Sequence, residues 1–201
     1  MTVIFKFGGS LLTLPGLADK LRTVLDQSSD NDRLILTGGG ASTDVVRDWS
    51  RIHQLNDKTA HWLAIASLDV NRLLLETLLS WRSISDRQEA THRWAIESAP
   101  LLLDFNRFAR NEEAKWDESL PHNWNVTSDS LAGWTALRWP ADELVLLKSV
   151  PMPVNLSAQA ASDQDLVDPY FPIIATDLRK ISWCNLRADH IVIQPWLSND
   201  R

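Results

Sequence analysis

Apolar residues in this chain occur as short continuous runs that alternate with longer stretches of helical spacing. The first run, Val3-Ile4-Phe5-Lys6-Phe7, stops at Gly8-Gly9-Ser10, and from Pro15 to Leu25 the residues Leu17, Leu21, Val24 and Leu25 recur at the intervals of a helix stripe. The pattern returns at Arg33-Leu34-Ile35-Leu36-Thr37, which runs into Gly38-Gly39-Gly40 and a helical stretch carrying Val45, Val46 and Trp49. Thr59 to Trp81 is apolar on one side and free of Gly and Pro, so it predicts a long helix. Further runs at Leu101-Leu102-Leu103, Leu144-Val145-Leu146-Leu147 and His190-Ile191-Val192-Ile193 read as buried strands. Their hydrophobicity is continuous rather than alternating, as a sheet covered on both faces requires. The expected fold is therefore α/β, a three-layer αβα sandwich around a mainly parallel sheet. Segment 111–123 is polar and reads as a surface loop, and segment 149–165 is the one Pro/Ser/Ala-rich gap. Neither is long enough to divide the chain, so residues 1–201 are expected to form one domain.

Composition narrows the function. The 201 residues are 44% hydrophobic and 23% charged, ordinary for a globular protein. A formal net charge of −6 argues against nucleic acid, whose binding draws on clustered Lys and Arg. The N-terminal MTVIFKFGGSLL lacks a basic segment followed by a signal-type apolar core, and no apolar run approaches a membrane span, so a cytoplasmic location without membrane contact is expected. A single cysteine, Cys184, excludes an intrachain disulfide and reads as an inert core thiol. The ten tryptophans are scattered and read as core or subunit contacts, which makes a homo-oligomer the expectation. His53, His61, His92, His122 and His190 show no paired ligand spacing, so no metal site is expected from them.

In an open α/β sheet, ligands bind beyond the carboxyl ends of the strands, where both glycine clusters fall. Gly8-Gly9-Ser10 and Gly38-Gly39-Gly40 let backbone amides approach an anion, next to helix N-termini that favour negative charge. Lys6 can project an ammonium to the same place. Neither cluster is a Walker A loop, and no G-x-G-x-x-G occurs, which disfavours a nicotinamide enzyme. Before a late helix, Asn125 to Trp134 reads NVTSDSLAGW, four small oxygen-bearing side chains in a row where a helix cap needs one.

Lys6-x-Gly8-Gly9-Ser10, Thr37-Gly38-Gly39-Gly40 and Thr127-Ser128-Asp129 together resemble the amino-acid kinase superfamily, the fold of aspartate, glutamate and uridylate kinases. Three longer strings, GGGASTDVVR from Gly38, AHWLAIASLD from Ala60 and HNWNVTSDSL from His122, are similar to the small kinases of methanofuran-type cofactor biosynthesis, which act on an aminomethylfuran phosphate. The resemblance implies transfer of a phosphoryl group from ATP, with Mg2+, to a small anionic acceptor bearing a phosphate or carboxylate. By analogy Lys6 bridges the transferring group and the nucleotide, Gly8, Gly9 and Ser10 cradle it, and Asp129 organises the lysines. Gly38, Gly39 and Gly40 hold the acceptor's anionic end, with Thr127 and Ser128 beside them, while His61, His122 and Trp124 line its pocket. Arg47 is read either as an acceptor clamp or as a helix-surface ion pair. The last third departs from the pattern: Ser149-Val150-Pro151 follows Lys148 where these kinases carry an Asp-x-x-Gly turn, and Thr176 stands where they carry a second phosphate-facing lysine. Lys148 or Lys180 is the expected substitute, Lys148 on the nucleotide side. If neither serves, the alternative is a catalytically divergent protein that binds an anionic metabolite or a partner subunit.

Overall fold

The computed structural model describes residues 1–115 and 120–199. Among the described residues seven strands, β1 (Thr2–Phe7), β2 (Asp32–Thr37), β3 (Arg82–Ile84), β4 (Leu101–Leu103), β5 (Glu143–Lys148), β6 (Lys180–Asn185) and β7 (Gln194–Ser198), form one sheet in the order β3-β4-β2-β1-β5-β6-β7. All neighbours are parallel except β6 and β7. The helices are α1 (Leu17–Asp26), α2 (Ala41–His53), α3 (Asp57–Leu79), α4 (Arg87–Trp94), α5 (Phe105–Glu113), α6 (Ser128–Arg138), α7 (Ala158–Ser162) and α8 (Phe171–Ala175), with a 3-10 turn over Gly9–Leu11. The three-layer α/β architecture matches the reading of the apolar runs.

The period of two along each strand sorts side chains between two cores. Val3, Phe5, Phe7, Ile35, Val145 and Leu147 face α1, whose Leu17, Leu21, Val24 and Leu25 are buried against them. Ile4, Leu34, Leu36, Leu144 and Leu146 face the opposite layer, where Leu131, Ala132, Trp134 and Ala136 of α6 pack with α5 and α8. Lys6 continues the Ile4 row and Lys148 the Leu146 row, so the same alternation carries both lysines to the face covered by α6.

Two sheet assignments differ from the sequence reading. His190–Ile193 is not a strand: Val192 is exposed, and Ile191 and Ile193 are only half-buried. Their backbone is held by one side chain, Gln27 at the end of α1, which donates to the Ile191 carbonyl (2.8 Å) and accepts from the Ile193 amide (3.0 Å). That pair of bonds replaces a strand ladder. The strand that pairs with β5 is instead β6, whose sequence KISWCN hides its burial because Ser182 and Cys184 interrupt the apolar run. Segment 111–123 is not wholly loop, since α5 runs through Glu113; Trp116 and the rest of positions 116–119 lie outside the described residues. Among the described residues, no helix is long and apolar enough to cross a membrane.

Candidate active site

β1, β2 and β5 end side by side, so the segments that follow them share one rim of the sheet. Two amide bonds extend the ladder past the strands: Gly8 donates to the Leu147 carbonyl (3.0 Å) and Gly38 to the Phe7 carbonyl (2.6 Å). This narrows the expectation that amides of the two clusters approach an anion, since those of Gly8 and Gly38 are engaged by backbone. Gly9, Gly39 and Gly40 have no such acceptor among the described residues. The two loops touch. A Cβ on Gly9 would lie 2.1 Å from the Gly40 nitrogen, and Gly40 itself has φ +54° with its own Cβ position 2.7 Å from the Gly9 carbonyl carbon. Glycine is required at both positions by close approach of backbone to backbone. Asn71 of α3, which sequence reasoning missed, fastens the second loop by donating to the carbonyls of Gly38 (2.7 Å) and Gly39 (2.6 Å). A polar side chain among the mainly apolar buried positions of α3 was its only signal.

Beneath the loops sits a charged cluster. Asp129, in the first turn of α6, places Oδ1 2.9 Å from Lys6 Nζ and accepts from Lys148 Nζ at 2.8 Å through Oδ2. All three are largely buried. Burial works against the Asp129 charge, but Lys148 and then Lys6 outweigh it and hold the carboxyl at about 2. Lys148 is drawn down to about 8, by burial first and with Lys6 adding to it, against the opposing pull of Asp129. Its ammonium also donates to the Leu166 carbonyl (2.7 Å) and lies 5.3 Å from the centre of the Trp183 ring. Asp129 thus faces both ammonium groups, and Asp168 adds a smaller negative influence on Lys148.

The run of hydroxyls before α6 also has a clear role. Thr127, the helix N-cap residue, makes no capping bond with its own side chain. Asp168, from the segment before α8, supplies the cap instead. It accepts from the Thr127 amide (3.1 Å) and hydroxyl (2.9 Å), the Ser130 amide (2.9 Å) and hydroxyl, and the Tyr170 (3.2 Å) and Phe171 (3.0 Å) amides. Thr127 and Ser130 therefore tie α6 to α8, while Asp129 between them points at the lysines. The Thr127 hydroxyl, expected at the substrate, is turned to Asp168. Ser10 is likewise engaged: its hydroxyl bonds to that of Ser149 (3.1 Å), and its carbonyl accepts from Arg187 (3.3 Å).

On the β2 side the loops open into a cavity of about 130 Å3. Gly39, Gly40, Arg47, His61, Trp124, Thr127 and Ser128 all line it, with Ile65, Leu68, Val126 and Leu131 as apolar walls. Arg47 makes the helix-surface ion pair of one of its readings and also lines the cavity. It pairs with Asp44 at 2.8 Å on the surface of α2, and its guanidinium lies 5.2 Å from the centre of the Trp124 ring at the cavity. His122 is not on the lining. It stacks on His61 with ring centres 4.4 Å apart and hydrogen-bonds Glu113 (3.0 and 3.2 Å). Burial, with a smaller push from His122, lowers His61 to about 4. Two histidines that show no paired ligand spacing along the chain meet in space: His61, His122 and Glu113 bring one ligand atom each to within 4.8 Å of one another. Linear spacing cannot show this, since the three come from α3, α5 and the segment before α6. Lys180 does not serve the site: it starts β6, at the opposite end of the strands, and pairs with Glu143 (3.1 Å).

Residues 1–152 match the amino acid kinase family. The chain belongs to that family. Among solved structures, uridylate kinase from Archaeoglobus fulgidus superposes with a TM-score of 0.60 at 16% identity, over 96% of this chain and 91% of that one. UMP kinase from Ureaplasma parvum gives 0.64 at 12% identity over 95% and 92% of the two chains. Aspartate kinase from Synechocystis gives 0.63 at 17% over 98% of this chain and 40% of its own. At such identities the likeness extends to the fold. No curated protein matches the chain. Family membership supports phosphoryl transfer to a small acceptor as the class of chemistry.

Proposed function

We propose that this chain transfers the γ-phosphoryl group of ATP to a small acceptor that carries a phosphate or carboxylate, with a phosphorylated aminomethylfuran as the first acceptor to try. The observation that carries the reading is Asp129 held between Lys6 and Lys148 directly under two touching glycine loops. An acceptor oxygen attacks the γ-phosphorus in line, the new P–O bond forms, and the bond to the departing ADP oxygen breaks. Lys6 and the amides of Gly9, Gly39 and Gly40 meet the charge on the transferring group and the acceptor's anionic end. Donors fixed before the reaction need no reorganisation as that charge develops. Lys148 supplies the second ammonium that Thr176 cannot. Mg2+ bound with the nucleotide would supply charge neutralisation on the phosphates, and Asp129, with both oxygens turned to lysines, would not be its ligand.

The apolar residues left exposed on α2 and α3, Val45, Trp49, Ile52, Val70, Leu73 and Leu78, favour association with further copies of the chain in the cytoplasm. One specific feature supports a second reading, a protein that binds an anionic metabolite or partner subunit without catalysis. The segment after β5 is Ser149-Val150-Pro151, and Ser149 ties down Ser10 on the nucleotide side. The test is ADP release from MgATP across a panel of furan phosphates, other phosphomonoesters and carboxylates, with calorimetry of a non-hydrolysable ATP analogue alongside. Acceptor-dependent ADP release with a phosphorylated product is the expected result. Acceptor binding with neither turnover nor nucleotide binding overturns the kinase reading in favour of the second.

A further inference from the structure

We propose that His61, His122 and Glu113 form a binding site for a divalent transition-metal ion of the zinc type, at the edge of the acceptor cavity. Each residue offers one ligand atom, and these atoms lie within 4.8 Å of one another. They come from three elements: His61 from the second turn of α3, Glu113 from the end of α5, and His122 from the segment leading into α6.

Two features set the cluster apart from a simple ion pair. His61 is 5% exposed, and its Nε2 is buried with no hydrogen-bond partner. A buried polar atom left unpaired costs about 1–3 kcal/mol, and folded proteins seldom leave one without a ligand, a water or a bond. The carboxylate that could satisfy it is the one already shared with His122, whose Nε2 lies 3.0 and 3.2 Å from the two Glu113 oxygens. A metal ion placed among the three satisfies all of them together.

The donor set selects the ion. Two imidazoles and one carboxylate suit Zn2+ and its neighbours in the first transition row, whereas Mg2+ and Ca2+ favour oxygen ligands throughout. Glu113 offsets one of the ion's two charges. Ligation also has a structural requirement. An ion bound tetrahedrally at about 2.1 Å by each of its ligands holds them roughly 3.4 Å apart, so the cluster must contract. The two imidazole planes are 18° from parallel, so one ring must turn about its Cβ–Cγ bond to aim its lone pair at a shared ion. The result is a clasp joining α3, α5 and the segment before α6, beside a cavity that His61 also lines. This inference stands apart from the phosphotransfer reading, since binding is measured without substrate.

The experiment is equilibrium dialysis of the metal-depleted full chain against Zn2+, with Co2+ as a spectroscopic substitute and Mg2+ as a control. The expected result is one Zn2+ per chain at micromolar or lower concentration, unaffected by excess Mg2+, with visible Co2+ absorption of low coordination number. Zn2+ should raise the melting temperature of the wild-type chain. His122→Ala and Glu113→Gln should each weaken binding at least tenfold, given that loss of a mere supporting partner costs a site 10- to 100-fold. Less than stoichiometric Zn2+ at about 100 µM in the wild-type chain overturns the proposal. So does binding that persists in the His122→Ala/Glu113→Gln double variant, which would place the ion elsewhere.

Discussion

Asp129 and Asp168 are buried to nearly the same degree, 5% and 7% exposed, and both serve the N-terminus of α6, yet their surroundings push their ionisation in opposite directions. Asp129 has two ammonium groups and is held at about 2. Asp168 is instead ringed by backbone amides and hydroxyls. Burial, reinforced by the negative charge of Asp129, raises it above the usual carboxylate value in spite of the bonds from Ser130 and Thr127. The difference separates two tasks that a row of polar residues in the sequence leaves merged. One carboxylate fixes the positions of charges, and the other fixes the positions of helices.

Asp129→Asn should break the comparison most severely. Two buried ammonium groups lose the carboxylate that stands between them, and removing one partner of a buried pair costs about 3–5 kcal/mol. With Lys6 no longer aimed, turnover should fall at least 100-fold, the scale for losing a preorganised group. The acid limb of stability should flatten as well. The folded value of about 2 lies below the ordinary 3.8, so ionised Asp129 contributes stability above about pH 4 that disappears as pH falls through the folded value. Acid melts of wild type and variant check the stability, and ADP release checks the rate. An Asp129→Asn variant within tenfold of wild-type turnover would contradict the role given to the cluster.

Lys148 sharpens the same comparison from the cation's side. Its folded value of about 8 lies below the ordinary 10.5. Between the two the folded chain has released a proton that the unfolded chain still holds, so this group makes stability rise, not fall, with pH across that window. Activity should move the other way. Loss of the second ammonium predicts an alkaline limb in kcat/KM with an apparent pKa near 8, measurable in a pH–rate profile. Lys148→Met should remove the limb and lower turnover by roughly 100-fold. Lys148→Arg, charged at every accessible pH, should carry the limb upward even if its absolute rate is reduced.

Asp168→Asn is expected to act on stability first. The substituted amide presents two hydrogens to a ring of donors, so several bonds are lost or reversed. A destabilisation of about 2–3 kcal/mol follows from buried donors left unpaired, and a chain of this length should then melt roughly 4–12 °C lower. Turnover below the new melting point should change by only a few-fold, because Lys6, Lys148 and Asp129 keep one another in place. Equal losses in rate for the Asp129→Asn and Asp168→Asn variants would erase the distinction between the two carboxylates.

The parts of the site that sequence made legible are those built from contiguous residues. Gly8-Gly9-Ser10, Gly38-Gly39-Gly40 and Thr127-Ser128-Asp129 each carry their meaning in a few adjacent side chains, and strand alternation alone puts Lys6 and Lys148 on the α6 face. What escaped was assembled across the chain. Asp168 stands 38 residues from Ser130 and looks like an ordinary loop aspartate. Asn71 holds a glycine loop 32 residues away. β6 was hidden because full burial does not require an unbroken apolar run, and His190–Ile193 misled because such a run can rest against a side-chain amide in place of a strand. The engagement of the Gly8 and Gly38 amides shows a further limit: a glycine-rich turn reveals room for an anion, but which amides remain available depends on where the ladder stops.

The smallest expected effect lies at the outer wall of the cavity, where Arg47 stands between Asp44 and Trp124. Arg47→Lys keeps the charge and can keep the 2.8 Å pairing with Asp44. It removes the planar guanidinium that faces the Trp124 ring at 5.2 Å, together with the fork that grips two oxygens of an acid at once. Arg47 does not contact the Lys6–Asp129–Lys148 cluster, so its hold on the acceptor should be the same in the ground state and the transition state. A change of that kind raises KM and leaves kcat alone. An increase in acceptor KM of about 3- to 10-fold is expected, with KM for ATP unchanged, read from initial rates at varied acceptor and saturating nucleotide. Trp124→Phe retains an aromatic face for the guanidinium and should fall between wild type and the lysine variant. A drop in kcat equal to that in kcat/KM would instead move Arg47 from the acceptor's wall into the transferring group's own surroundings, alongside Lys6.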